Sequence, residues 1–305
     1  MSVIIAFSMD EALRVLAAHP DALILSGGTD LLVEINEGHR RLRSSSADIA
    51  TSPTVLAVDR LSELRSWTID LERSQVHIGA GVTWSELVGE PLAGLIPALA
   101  EASRTVGSPQ IRNAGTLGGN LGTCSPAGDG LPVLAALEAV VHLRSATNQR
   151  DLPIAEFMVG VKRTARLPGE LITGVTVPII NGWQGYSKVG VRNAMVIATA
   201  SAALVADRTQ RQIRVALGSV GPTVLRCSEA ETMLSAAVDW ENGVVGSDQL
   251  REFGSLVADA SRPIDDHRSS AAYRRHSVGV MAQRLARRAF PLGSGPLELG
   301  KSSGI

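Results

Sequence analysis

Only two cysteines occur in the 305 residues, Cys124 and Cys227, far apart in the chain. No C-x-x-C pair and no set of four exists, so this chain alone cannot ligate an iron–sulfur cluster by the usual thiolate spacings. A disulfide framework is equally unsupported. Aromatic residues amount to 3 %, which removes the stacking platforms that single-stranded nucleic acid requires and leaves the core to Ala, Val, Leu and Ile. Neither sign of charge dominates: 29 Lys and Arg stand against 30 Asp and Glu, a formal net charge of -1. Nothing therefore calls for nucleic acid or an anionic membrane. Apolar runs never reach membrane-spanning length, and Met1 to Asp10 lacks the basic region and apolar stretch of a signal peptide. A cytoplasmic protein is expected. No Ser/His/Asp set, H-E-x-x-H or Walker pattern presents itself.

Hydrophobic residues make up 45 % and charged residues 19 %, a globular composition on a chain long enough for two domains. Ser8-Met9-Asp10-Glu11 has the capping-box form and predicts a first helix ending near Pro20. Ala22 to Leu25 reads as a short buried strand, and Leu31 to Asn36 as helical with Gly38 as its stop. The polar stretch from Ser44 to Pro53 is a candidate boundary between subdomains. Val55 to Val58, Val76 to Ala80 and Val140 to Leu143 read as strands, and Leu61 to Leu64 as a short helix. Thr83-Trp84-Ser85-Glu86 is a second capping box; Pro97 to Arg104 and Leu131 to Leu137 read as helices. Leu171 to Pro178 and Tyr186 to Val191 mark the passage to a second domain. There Met195 to Ala206 and Ile213 to Leu217 are strand-like, and Ser228 opens a helix. Val278, Met281, Leu285 and Ala289 share one face of a final helix. The tail from Leu292 reads as disordered. Strands alternating with helices in both halves predict an α+β or α/β chain.

Two glycine pairs carry the functional signal. Ser26-Gly27-Gly28-Thr29-Asp30 joins a strand to a helix. Thr116-Leu117-Gly118-Gly119-Asn120 lies in what reads as a long irregular stretch from Thr105 to Gly130, longer than an ordinary connection. A glycine pair with hydroxyl and amide neighbours lets the backbone turn its N–H groups toward one point, a nest for a phosphate. A helix starting at Leu31 would add the positive end of its dipole. Neither segment holds Lys or Arg, so peptide dipoles are expected to meet most of the phosphate charge. Asp30 is compatible with such a ligand if its side chain caps the helix or meets a hydroxyl. By contrast Gly79-Ala80-Gly81 only imitates a dinucleotide-binding turn: Trp84 stands where the third glycine is needed for close helix–strand packing.

The two segments, extended by Ser108-Pro109-Gln110-Ile111-Arg112-Asn113-Ala114-Gly115 and Ser125-Pro126-Ala127-Gly128-Asp129, resemble the flavin-binding subunits of the molybdenum hydroxylases. That group includes xanthine dehydrogenase and the medium subunit of aerobic carbon monoxide dehydrogenase. Tyr186-Ser187-Lys188-Val189-Gly190-Val191-Arg192 and Ser269-Ser270-Ala271-Ala272-Tyr273-Arg274-Arg275 continue the match in the same order. Thr29 departs from the His that carbon monoxide dehydrogenase-like chains often carry there, and no cysteine-rich insertion is present. The resemblance implies an α+β chain: a two-subdomain FAD-binding domain of the p-cresol methylhydroxylase type, 1–178 (subdomains about 1–53 and 54–178). A smaller α/β C-terminal domain, 179–290, and a tail, 291–305, would follow. It further implies non-covalent FAD, its diphosphate wrapped by Ile24, Leu25, Ser26, Gly27, Gly28, Thr29, Asp30 and Leu31 and by Gly115, Thr116, Leu117, Gly118, Gly119 and Asn120. Asp129 would accept from a ribityl or ribose hydroxyl, Ile172 would contact the cofactor, and Lys188 would stand near the pyrimidine end of the flavin.

Plainer roles exist for several of these residues. Asp129 is equally suited to capping the helix near Leu131. On composition alone Lys188 is a solvated strand charge. Tyr186 packs near the ring or fills the core. Arg112, Arg274 and Arg275 suit structural hydrogen bonds, Cys124 and His39 are bystanders, and His77 and His142 are core or surface residues. The resemblance implies an oxidoreductase subunit without catalytic acid–base residues of its own. Electrons would come from a molybdopterin-binding large subunit through [2Fe–2S] clusters of a small subunit, and leave FAD for NAD or another acceptor. The alternatives are a self-contained flavoenzyme of the same fold and an assembly subunit without flavin.

Overall fold

The computed structural model describes residues 2–38 and 54–291, so the boundary expected at Ser44 to Pro53, His39 and the tail from Leu292 lie outside the described residues. The chain opens β1 (Ser2–Ile5), α1 (Met9–Ala18), β2 (Leu23–Leu25), α2 (Leu31–Asn36), β3 (Thr54–Ala57). Ser8 caps α1 by accepting from the Glu11 N–H, as its spacing predicts. The three strands form a parallel sheet in the order β1-β3-β2, with Ala12, Leu13 and Leu16 of α1 in the core.

A 3-10 turn at Ser62–Arg65 replaces the helix expected at Leu61 to Leu64. Then come β4 (Trp67–Asp70), β5 (Gln75–Gly79), α3 (Trp84–Leu87), α4 (Leu92–Leu95), α5 (Pro97–Thr105), α6 (Pro109–Ala114), α7 (Leu117–Thr123) and α8 (Gly130–Ala136). The capping box predicted at Thr83 is fully formed. The stretch expected to be irregular thus contains two helices. Ser108 caps α6, with Pro109 in its first turn, and Thr116 caps α7 by accepting from the Gly119 N–H. Gly118, Gly119 and Gly122 make α7 a poor helix by propensity, each costing about 1 kcal/mol against Ala. The burial of Leu117 and Leu121, both 0 % exposed, overrides that. Cys124 ends α7 in the left-handed region at φ 47°.

Next are β6 (Val140–Arg144), β7 (Gln149–Pro153), α9 (Ile154–Phe157), β8 (Met158–Gly160), β9 (Arg163–Thr164) and β10 (Leu171–Pro178). An antiparallel sheet runs β4-β5-β10-β6-β7, with Val76, Ile78, Val141, Leu143, Val175 and Val177 in the core.

The rest of the chain is β11 (Gly182–Val189), β12 (Ala200–Asp207), β13 (Gln212–Gly218), β14 (Leu225–Arg226), α10 (Ser228–Ala237), α11 (Ser247–Ala260) and α12 (Ala271–Ala289). The strand expected from Met195 starts only at Ala200, because Met195 and Ile197 belong to an exposed connection. The sheet β11-β12-β13-β14 is antiparallel and works on both faces. Tyr186, Ala203, Val205 and Ala216 join the first core, while Ala202, Leu204, Val215 and Leu217 join a second one under α10, α11 and α12. Every residue of β12 is buried, which explains its apolar run without alternation. The class expected from the sequence, mixed helix and sheet with a smaller C-terminal portion, is the one observed.

Arg274 on α12 is 3 % exposed. It donates to the Thr199 and Ser219 carbonyls and to Asp266 Oδ1 at 2.6 Å. Partial burial pushes the Asp266 carboxyl up, but the Arg268 N–H and the Arg274 and Arg268 guanidinium groups outweigh it and hold it down at about 2. The stabilisation from this carboxylate is therefore complete above its unfolded value near 3.8 and fades as pH falls toward about 2. Asp266→Asn should cost about 3 kcal/mol near neutral pH by leaving a buried guanidinium without its counter-ion. Urea unfolding followed from pH 7 to 2 should show the variant and the parent converging in acid.

Candidate functional site

The first glycine of each pair is fixed by packing. A Cβ on Gly27 would lie 1.7 Å from the Ala114 carbonyl oxygen, and one on Gly118 would lie 2.5 Å from Ala80 Cβ. Gly27 therefore lets the bend after β2 press against the C-terminal end of α6. Ser26 Oγ and Thr116 Oγ1 meet there at 3.2 Å. The second glycines differ. Gly28 takes φ +70°, and a Cβ on Gly119 would meet only Thr116 Oγ1, at 3.1 Å. Gly122, one turn further along α7, is also open apart from Ile172 Cδ1 at 3.7 Å. Asp30 does not cap α2; it accepts from the Thr123 hydroxyl at 3.1 Å, the hydroxyl contact its position called for.

The two bends are unequal as nests. At the second, the amides are already committed: Leu117 N donates to Val82 O at 2.9 Å, Gly118 N to Ala80 O at 2.8 Å and Asn120 N to Thr116 O at 3.1 Å. Gly119 N donates to Thr116 Oγ1 at 3.0 Å. The expectation of a main-chain nest here needs correction: the pair opens a helix whose amides are satisfied by the turn after β5 and by their own cap. What this bend leaves unpaired is the Asn120 side chain, whose Oδ1 is buried without a partner. At the first bend, no N–H from Ser26 to Leu31 donates to an acceptor among the described residues. A row of uncommitted donors and a buried orphan amide oxygen cost free energy unless a ligand or water meets them.

Both bends line one cleft of about 740 Å³, in the range of small-molecule sites. Ile24, Ser26, Gly27, Gly28, Thr29, Asp30 and Leu31 line it on one side of the bend contact, and Gly115, Thr116, Gly118, Gly119 and Asn120 on the other. Asp129 and Ile172 also face it. Leu25, Leu117 and Lys188 are not among its lining residues. Leu25 lies in β2, and Leu117 is wholly buried.

Lys188 reaches the cleft through Asp129. Its Nζ donates to Asp129 Oδ2 at 2.7 Å and to the Thr105 carbonyl at 2.9 Å, while the Tyr186 hydroxyl donates to Asp129 Oδ1 at 2.8 Å. Asp129 does not cap α8. Burial pushes the Asp129 carboxyl up, with the Lys188 ammonium and the Tyr186 hydroxyl pulling against it. Burial and the neighbouring carboxylate push the Tyr186 phenol well above its ordinary value. Arg112 donates to the carbonyls of Val106 and Gly107, a structural role.

Sequence reading missed Trp84, Lys162, Arg166 and the connection Met195-Val196-Ile197, all of which line the cleft. Only Trp84 carried a signal, since a buried aromatic beside glycines marks close packing; a Cβ on Gly130 would lie 2.6 Å from its ring. Among the described residues no group of three or more His, Cys, Asp or Glu could hold a metal ion. Burial raises the pKa values of both thiols, Cys227 to about 12. No helix of the described residues is long and apolar enough to cross a membrane.

A family model described as the FAD binding domain in molybdopterin dehydrogenase matches residues 1–180, and one described as the CO dehydrogenase flavoprotein C-terminal domain matches residues 186–289. The glyceraldehyde dehydrogenase medium chain of Sulfolobus acidocaldarius is 31 % identical over 93 % of this chain and 96 % of its own. The carbon monoxide dehydrogenase medium chain of Hydrogenophaga pseudoflava is 30 % identical over 88 % of this chain and 90 % of its own. A solved structure of carbon monoxide dehydrogenase from that organism, lacking the Mo-pyranopterin moiety, superposes with a TM-score of 0.82. It is 26 % identical and covers 95 % of this chain and 96 % of that one.

The division of labour between glycines is testable without any ligand. Gly27→Ala forces the two bends apart and should lower stability by about 2–3 kcal/mol. Gly119→Ala meets one hydroxyl and should stay within about 1 kcal/mol of the parent. Chemical denaturation of the full chain separates the two; equal losses would show that the second glycine is also a packing residue.

Proposed function

The chain belongs to the FAD-binding medium subunits of the molybdenum hydroxylases, and from that premise we propose that it relays electrons. Iron–sulfur clusters of a small subunit would supply them, after oxidation of a substrate at a molybdopterin-binding large subunit, and NAD or another acceptor would take them. FAD supplies the redox chemistry when bound, which is why no nucleophile or acid–base pair is needed in the cleft. The two cysteines, both buried, leave the clusters to a partner.

The single observation that carries this reading is the row of uncommitted amides from Ser26 to Leu31 beside the orphaned Asn120 Oδ1. FAD fits these groups: phosphate oxygens accept from N–H donors, and a hydroxyl or amine donates to an amide oxygen. The first bend would hold the diphosphate through its backbone. The second would contribute Asn120 and the close approach that Gly119 and Gly122 permit. Asp129, held from behind at both oxygens, keeps lone pairs for a ribityl or ribose hydroxyl. Ile172 would supply an apolar contact, and Met195 to Ile197 would exclude water from part of the cleft.

The co-purified complex should show flavin absorption assigned to this chain, and iron–sulfur and molybdenum signals in its partners. A colourless chain that takes up no added FAD would overturn the reading. Lys188→Met should lower the FAD reduction potential, because Asp129 would lose its counter-charge and the site would favour extra negative charge less. It should also cost about 3–5 kcal/mol of stability, as breaking a buried ion pair does. Spectroelectrochemical titration reads the first effect and thermal unfolding the second; an unchanged potential would remove Lys188 from the site.

A further inference from the structure

The charge balance of the cleft poses a problem that one residue resolves. Four carboxylates line it, Asp21, Asp30, Glu34 and Asp129, against two cations, Lys162 and Arg166. Taken formally, that is an acidic cleft for a cofactor whose diphosphate is itself anionic. Two of the four acids are already paired with cations, and a third accepts from a hydroxyl. Asp129 is neutralised by Lys188, Glu34 is paired with Lys162 at 2.5 Å, and Asp30 accepts from Thr123. Arg166 stands apart. Among the described residues no carboxylate lies within ion-pair distance of it, and its only side-chain hydrogen bond is from Nη1 to the Glu170 carbonyl at 2.7 Å. The remaining guanidinium nitrogens are uncommitted.

Its position is determined by the backbone. Gly169 N donates to Pro20 O at 3.0 Å, which ties the turn carrying Arg166 to the entry of β2. Pro20, Asp21, Ala22, Arg166 and Pro168 together line the cleft there, and β2 leads from that point directly into the bend at Ser26. Burial lowers the Arg166 pKa, with Glu170 and Asp21 pulling against it. A guanidinium that loses hydration without a carboxylate partner is poised to gain from an incoming anion.

We propose that Arg166 is the cation of the cofactor cleft that pairs with phosphate of the bound dinucleotide, supplying the charge both glycine bends lack. The inference rests on the FAD-binding reading above and adds a binding residue to it. A guanidinium fork suits phosphate oxygens, and its anchoring at Glu170 means little side-chain entropy is lost on contact. Lys162, committed to Glu34, is left to a secondary part.

The test measures the affinity of the full apo-chain for FAD, for ADP as a flavin-free probe and for riboflavin as a phosphate-free probe. Arg166→Gln should weaken FAD and ADP by about 10–100-fold and leave riboflavin unchanged. Its FAD affinity should also respond less to added salt than that of the parent. Equal loss for all three ligands would mean that Arg166 merely shapes the turn at Glu170, and unchanged FAD affinity would mean that it contacts nothing; either overturns the proposal. Should Arg166→Gln fail to fold, Asp21→Asn at the exposed neighbour decides. It removes a competing carboxylate and should tighten FAD and ADP by about 2–5-fold without affecting riboflavin, and no tightening would again overturn the proposal. A parent chain that binds no FAD at all would instead fail the reading on which this one rests.

Discussion

The contact between Gly27 and the Ala114 carbonyl is the constraint from which the rest of the site follows. It brings a bend from the parallel sheet against a helix start that leans on the antiparallel sheet through Gly118 and Ala80. Two segments 90 positions apart, joined at Ser26 and Thr116, thereby share one cleft. Without the missing Cβ at position 27 the two walls could not close to this spacing. The uncommitted amides on one side and the Asn120 amide on the other would then no longer face a common ligand.

A second tie links the cleft to the C-terminal sheet. Asp129, from the portion of the chain rich in glycine, is held by Tyr186 and Lys188 of the four-stranded sheet. The N–H of the same Tyr186 donates to Glu101 on α5 at 2.7 Å. The C-terminal sheet therefore does more than close the molecule. It fixes a cleft-facing carboxylate from behind and screens its charge, so that a buried acid can coexist with an anionic cofactor. Electrostatics in this cleft are arranged partly in advance, with Asp129 paired to Lys188 and Glu34 to Lys162.

Much of this architecture was legible in the sequence. The capping boxes at Ser8 and Thr83, the strand before the first bend, and the long face of α12 from Val278 to Ala289 are local signals, and local physics decides them. The helices α6 and α7 were not legible, because three glycines in α7 argue against helix and only the burial of Leu117 and Leu121 reverses that preference. Likewise, spacing shows that Gly-Gly can form a nest but cannot show whether its amides are already taken; that depends on the carbonyls of Ala80 and Val82, which the fold delivers. Lys162 and Arg166 escaped notice for the same reason. Nothing about a cation in the β8–β9 hairpin, or in the turn before β10, reveals that it reaches the cleft, or that the second of these turns folds back beside Pro20.

The burial of β12 on both sides has a consequence for how the molecule can be divided. A strand that contributes Ala203 and Val205 to one core and Ala202 and Leu204 to another belongs to neither portion alone. Cutting the chain near residue 180 would strip an apolar wall from the remaining half as well as from the fragment removed. Separating the two matched segments would therefore expose apolar surface on both sides of the cut, which opposes their independent folding.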